Sequence, residues 1–412
     1  MSSRHLLAAS VALVLSCASA QATGPFELSY IGQQIVPTGT LYAGTTVGGL
    51  SSIDYNPATG RYLSISDDRS ALNPARFYEL SLDLNQFSRS ATPGMAGVSF
   101  SGVTTIQPIG GGTFATNTVD PESLRLDAAR GKIYWSNEGQ RSAAGFQNPT
   151  VREMNLDGSY SRTFAVPDYY NPSGSVSGLS AGDKGVYNNL AFENMTLSSD
   201  RNTLYVATEN ALAQDSLPSS VSNGSRSRIL SFDVASGAAG AEYVYEVEPV
   251  AFAPSPAGSF ATNGLTDFIA VGDRQFITIE RSFSTGAGTN GIPATGNTIR
   301  IFYADARGAT DVAGVESITS VSGLTTVSKT LLLNLSSLKN DDGSTLSLDN
   351  IEGITFGPSH NGKQTLILAS DNNFSGTQFT QFIALEIAPV PEAGTWAMLL
   401  AGLGLLGVVR RR

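Results

Sequence analysis

The stretch NLAFENMTLSSDRNTLYVATEN, residues 189–210, opens on a carboxylate inside a short alternating strand and passes through a polar turn. It then runs into an apolar segment and closes on a second carboxylate. Two such runs joined by turn residues make an antiparallel hairpin. The same layout recurs as GGLSSIDYNPATGRYLSISDDR at 48–69 and DPESLRLDAARGKIYWSNEGQR at 120–141. It recurs again as NGLTDFIAVGDRQFITIERSF at 263–283 and DNIEGITFGPSHNGKQTLILASDNNF at 349–374.

Further strand-like segments lie between the copies, among them RFYELSLDL, SRILSFDV, EYVYEVEPV, NTIRIFYADA and QFIALEI. A unit of about four strands repeating at roughly seventy residues is the pattern of a β-propeller blade with long loops. The chain therefore reads as all-β, a single-domain propeller of five or six blades over residues 24–388. Five blades are visible, and 211–262 and 284–348 are long enough to hide a sixth. The segment FELSYIGQQIVP supplies a strand to close the ring. A large sandwich or a β-helix would not need five long, non-identical repeats. Runs such as TLYVAT and TLILAS are apolar on both faces, as expected of a sheet packed between two neighbours.

Aligning the copies stacks acids in two positions. Glu122, Glu193 and Glu352 share the opening one, where the other copies carry Ser51 and Thr266. Asp67, Glu138, Glu209, Glu280 and Asp371 share the closing one. In three copies the positions are sixteen residues apart. Pairing within each hairpin brings its two ends together, so the acids are expected to converge at one mouth of the central channel. Like charges held so close need protons, arginines or a metal. Hard oxygen ligands from several strands suit Ca²⁺, and Asp67, Glu122, Glu193, Glu352 and Asp371 are the candidate ligands. Zinc is excluded by the lack of His and Cys ligands. The alternative is an arginine–carboxylate ring, since Arg69, Arg141 and Arg281 each follow a closing acid within three residues.

The two ends of the chain read separately. MSSRHLLAASVALVLSCASA, residues 1–20, has Arg4, an apolar run and an A-x-A site, which is a cleaved signal peptide. The single cysteine, Cys17, falls inside it, so the mature chain has no thiol or disulfide chemistry. VPEAGTWAMLLAGLGLLGVVRRR, at 390–412, is a Pro-Glu motif, an apolar run and three arginines. It resembles the PEP-CTERM sorting signal, with Ala393 in place of the usual second proline. That resemblance implies a domain boundary near 389, transient insertion of residues 395–409 as an anchor helix in the inner membrane, and cutting by an exosortase-type protease. The expected location is the envelope, surface or matrix of a Gram-negative bacterium. The formal G-x-G-x-x-G at Gly402–Gly407 lacks the downstream acid of a dinucleotide site. With a net charge of −10, the surface repels nucleic acid.

The hairpin segments GLSSIDYNP, ESLRLD, WSNEGQR, ENMTLS, VATEN, ITIERSF, IEGITFGP and LILASDNN also resemble the phytase-like, or "esterase-like activity of phytase", family over about 45–385. This resemblance implies a propeller and a phosphoester or carboxylester hydrolase acting on a small anionic or ester substrate. Glu138, Glu209, Glu280 and Glu352 are the candidate bases of a metal-assisted hydrolysis, with Arg281 to hold an anionic oxygen. A Ser180–His360 pair is disfavoured because Gly178-Leu-Ser180-Ala-Gly182 lies in a Gly/Ser loop with no helix pattern after it. The competing expectation is a non-catalytic surface or matrix ligand-binding propeller.

Overall fold

The computed structural model describes residues 24–288 and 293–390. The expected signal peptide at 1–20 and the apolar segment at 395–409 lie outside the described residues. Among the described residues no helix is long and apolar enough to cross a membrane.

Each of the five hairpins is the inner half of one four-stranded antiparallel sheet. From the axis outward, blade 1 is Leu50–Asn56, Arg61–Ser66, Arg76–Leu82 and Val98–Thr105. Blade 2 is Pro121–Asp127, Lys132–Asn137, Thr150–Asn155 and Tyr160–Thr163. Blade 3 is Phe192–Leu197, Thr203–Thr208, Ser225–Asp233 and Ala239–Val247. Blade 4 is Ala261–Gly272, Gln275–Ser284, Asn297–Asp305 and Ser328–Asn334. Blade 5 is Asn350–His360, Lys363–Asp371 and Thr380–Pro389, and its outermost strand is the N-terminal Phe26–Val36, paired from Phe26↔Pro389 to Val36↔Thr380. The innermost strands touch in sequence and the fifth touches the first, so the ring closes.

This settles the blade count at five. The stretches that were long enough to hide a sixth hold the outer strands of blades 3 and 4, together with their loops.

Alternation along each strand divides its apolar residues between two inter-blade cores. In blade 3, Leu204 and Val206 pack towards Tyr134 and Val151 of blade 2, while Tyr205 and Ala207 pack towards Phe268 and Phe276 of blade 4. In blade 5, Leu366 and Leu368 join Ile277 and Ile301 of blade 4, while Ile367 and Ala369 join Ile53 and Tyr62 of blade 1. Leu63 and Ile65 of blade 1 meet Leu126 and Trp135 of blade 2. Every sheet thus sends apolar residues to both of its faces, with buried polar side chains such as Arg228 and Glu242 set among them.

Ile383 is fully buried between blades 4 and 5, on the strand that pairs with the closing N-terminal strand. Ile383→Ala is expected to destabilise the protein by about 2–5 kcal/mol, read as a lower urea midpoint. A shift of under about 0.5 kcal/mol, the size of an ordinary surface change, would contradict this packing.

Candidate functional site

The register of every innermost strand breaks near its entry to the ring. The breaks fall at Leu50/Ser52, Pro121/Leu124, Phe192/Asn194, Leu265/Asp267 and Ile351/Gly353. The extra residue is Ser51, Glu193, Thr266 or Glu352, and in blade 2 the break spans Glu122 and Ser123. A bulge leaves its extra residue out of the ladder and re-aims its side chain. The opening position read from the sequence is this bulge.

The closing residues follow at the end of the second strand. The N–H groups of Asp67, Glu138 and Glu209 donate to the carbonyls of Gly49, Asp120 and Ala191 at 2.8, 2.9 and 2.7 Å. Asp371 stands opposite Asn350, and in blade 4 the residue opposite Gly264 is Arg281. Glu138 Oε1 accepts from the Ala191 N–H at 2.7 Å, which ties blade 2 to blade 3. Glycine is required where these carboxylates press on backbone. A Cβ on Gly264 would lie 2.0 Å from Glu209 Oε1, and one on Gly49 would lie 2.0 Å from Asp67 Oδ1.

Asp67, Glu122, Glu138, Glu193, Glu209, Glu352 and Asp371 are therefore brought together with Arg281, as the alignment required. All of these carboxyls are pushed above the ordinary carboxylate range, first by burial and then, except at Glu209, by neighbouring carboxyls. Glu122 feels Glu193, Asp120 and Asp67, whereas Glu193 feels Glu138, Glu209 and Glu352. Asp371 raises Glu352, and Asp67 raises Asp371. Asp120 and Glu352 add to the burial of Asp67, Asp120 adds to that of Glu138, and Arg281 partly offsets the burial of Glu209.

The ring is uneven. On one arc Arg281 donates to Glu352 at 3.0 Å and to Glu209 at 3.4 Å. On the other, Asp120, Glu122 and Glu138 each place a carboxylate oxygen within 4.8 Å of the others. Glu138 Oε2 and Asp67 Oδ1 are enclosed there without a hydrogen-bond partner. Asp120 was not among the residues expected from sequence. Its only signal is its place two residues before Glu122, where other blades carry Gly49, Ala191, Gly264 and Asn350. Arg69 pairs with Asp120 at the edge of this arc.

Two expectations need correction. Glu280 is not part of the ring. It pairs with Leu265, one residue short of the closing slot, and a one-residue step reverses the face. Its carboxylate is buried against blade 3, where it accepts from Tyr245 Oη, Asn263 Nδ2 and the Glu248 N–H at 3.0 Å and from Lys329 Nζ at 2.6 Å. Arg141 does not neutralise the ring either. It donates to the carbonyls of Ser173, Ser175, Lys184 and Val186 and so fastens the loop before blade 3. In that loop the Ser180 N–H bonds Asp183, while His360 lies at the blade 5 hairpin turn against Glu386.

One step further along the innermost strands, a cross-channel ion pair was also not foreseen. Arg125 of blade 2 donates to both oxygens of Asp267 of blade 4, at 2.7 and 2.8 Å, and to Ser52 Oγ of blade 1 at 2.8 Å. Asp267 also accepts from the Ile354 N–H of blade 5 at 2.8 Å. One mouth of the channel is a cavity of about 660 Å³ reached by Glu209, Arg281 and Glu352. A second cavity of about 390 Å³ is reached by Asp54, Arg125 and Thr355.

Residues 45–374 match the family described as phytase-like, esterase-like activity of phytase, and residues 389–412 match the PEP-CTERM protein-sorting motif. No curated protein matches the chain. Among solved structures, the Dos1 propeller is similar at 7% identity and a TM-score of 0.34, over 84% of this chain and 69% of that one.

Carboxyls with raised pKa make the folded protein bind more protons than the unfolded chain between the ordinary carboxylate range and the raised one. Stability therefore falls as pH rises through that window. Melting temperatures of the metal-free mature protein are expected to drop steadily from about pH 4 to about 8, where Asp67 and Glu352 lose their protons. Melting temperatures that rise or stay level across this range would show that the ring carries no such strain.

Proposed function

The chain belongs to the phytase-like family, and on that footing we propose that it is a calcium-assisted hydrolase of small phosphoesters or esters, acting at the acidic mouth of its channel. The sorting motif at 389–412 implies export, recognition by an exosortase-type system, and residence at the envelope or surface of a Gram-negative bacterium. The observation that carries the catalytic reading is the pair of enclosed, unpartnered oxygens, Glu138 Oε2 and Asp67 Oδ1, on the arc opposite Arg281.

These residues fit a hard divalent cation, because the donor set is all carboxylate oxygen. Asp120, Glu122 and Glu138 would hold it, with Asp67 beside them. When bound, calcium supplies positive charge to ester oxygens and acidifies a water. Arg281 orients an anionic oxygen of the substrate. Glu209 reaches the same cavity and accepts the proton of the attacking water. The water oxygen bonds to phosphorus or the acyl carbon as the bond to the ester oxygen breaks. Glu352, held protonated above the usual range by burial and by Asp371, gives its own proton to the departing oxygen, while Glu209 keeps the proton taken from the water.

One observation favours the alternative of a non-catalytic ligand-binding propeller: Arg281 is already engaged by two carboxylates. The two readings separate in one assay of the mature protein on p-nitrophenyl phosphate and p-nitrophenyl acetate, with Ca²⁺ or EDTA. A hydrolase should turn over only with Ca²⁺ and lose about 10²–10⁴-fold in kcat in Glu209→Gln. Calcium-dependent stabilisation without turnover would favour the binding module. Independently, Ca²⁺ at a hundred times its Kd is expected to stabilise the wild type by about 2.7 kcal/mol. That gain should shrink sharply in Glu138→Gln, whose metal-free form should in turn melt higher than the wild type.

A further inference from the structure

The cavity above the ring has two chemically distinct walls. Arg281 lies on the second strand of blade 4, and Phe283, two residues on, faces the same way. The strand rise puts them about 7 Å apart. Phe260, just before the innermost strand of the same blade, packs on Phe283 with ring centroids 5.9 Å apart at 37°. Its carbonyl is held by the Thr285 N–H at 3.0 Å. Phe260 is nonetheless 68% exposed, and it shares the cavity with Phe283, Pro218, Arg281, Glu209 and Glu352. An exposed aromatic pair beside a charged cavity floor is the arrangement of a ligand pocket with an apolar body and a polar anchor.

The floor itself selects against polyanions. Among the described residues, the cations that reach the ring are Arg69 and Arg281, and both are already in ion pairs. Arg281 is the single cation among the described residues that line the cavity, so most phosphates of a polyphosphorylated ligand would find no cationic partner there.

We infer that this cavity takes a monoester with a flat apolar group, which seats on Phe260 and Phe283 while its single anionic or carbonyl head lies at Arg281, and that it rejects inositol polyphosphates. Turnover of such a monoester rests on the hydrolase reading above; the binding preference rests on the cavity alone.

Both are tested with the mature protein in Ca²⁺. For turnover, 2-naphthyl phosphate and 2-naphthyl acetate are compared with glycerol 2-phosphate and inositol hexakisphosphate, in wild type and Phe260→Ser. Phe260 is mostly exposed, so the variant should melt with the wild type. The expected result is a loss of about tenfold in kcat/KM for the naphthyl substrates, carried by KM, with glycerol 2-phosphate unchanged. For binding, the non-hydrolysable 2-naphthylmethylphosphonate is titrated by calorimetry. Its affinity should fall about tenfold in Phe260→Ser and should exceed that of inositol hexakisphosphate for the wild type. If no substrate turns over but the phosphonate still binds and loses affinity in the variant, the hydrolase reading fails and the inference stands. If substrates turn over but Phe260→Ser treats all alike, or inositol hexakisphosphate is preferred, the inference is overturned and the hydrolase remains. Absent or unaltered phosphonate binding likewise overturns it.

Discussion

An extra residue where each innermost strand enters the ring is the constraint on which the site depends. In a regular strand, the residue after Phe192 or Ile351 would continue the alternation into an inter-blade core, where an unpaired carboxylate is costly. The bulge takes Glu193 and Glu352 out of the ladder, so Phe192 and Met195, or Ile351 and Ile354, remain in their apolar clusters. Ser51 and Thr266 occupy the same bulge in blades 1 and 4. The feature therefore belongs to the fold, and the acids are substitutions made upon it.

The crowding of charge that results is relieved in different ways around one circle. Arg281 donates to Glu209 and Glu352 on one arc, while Arg69 serves only the edge of the opposite arc at Asp120. Between them, Glu122 and Glu138 have no arginine within ion-pairing distance among the described residues, and burial holds both carboxyls towards the protonated state. The arginine-paired carboxyls thus occupy one sector of the ring, and the grouped carboxyls of Asp120, Glu122 and Glu138 occupy another.

Much of this was legible because blades 1 to 3 keep one hairpin length, so a fixed spacing of sixteen links bulge to closing residue. Blade 4 breaks the count. Its hairpin carries a second register shift at Ala270/Gly272, and its slots hold Thr266 and Arg281, fifteen apart. The acid at 280 then looked equivalent by type while being opposite by face. Asp120 was hidden for another reason: blade 2 alone has a carboxylate at that position. The Arg125–Asp267 pair joins residues 142 apart, and no local pattern encodes a partner at that distance. The extra blade was an artefact of loop length, because the outer strands of blades 3 and 4 follow long irregular segments.

The closing strand has one more implication. Phe26 pairs with Pro389, and the Val390 N–H donates to the Pro25 carbonyl at 2.8 Å. The two termini of the described propeller thus leave from the same edge of the same sheet. Such a contact spans nearly the whole polypeptide, so it forms late and cannot be replaced by any local pairing. A chain delivered N-terminus first leaves Phe26–Val36 without its native partner until the final strand of blade 5 has arrived. Assembly of the ring is thereby timed to the end of delivery, at the moment when the segment carrying the sorting motif follows.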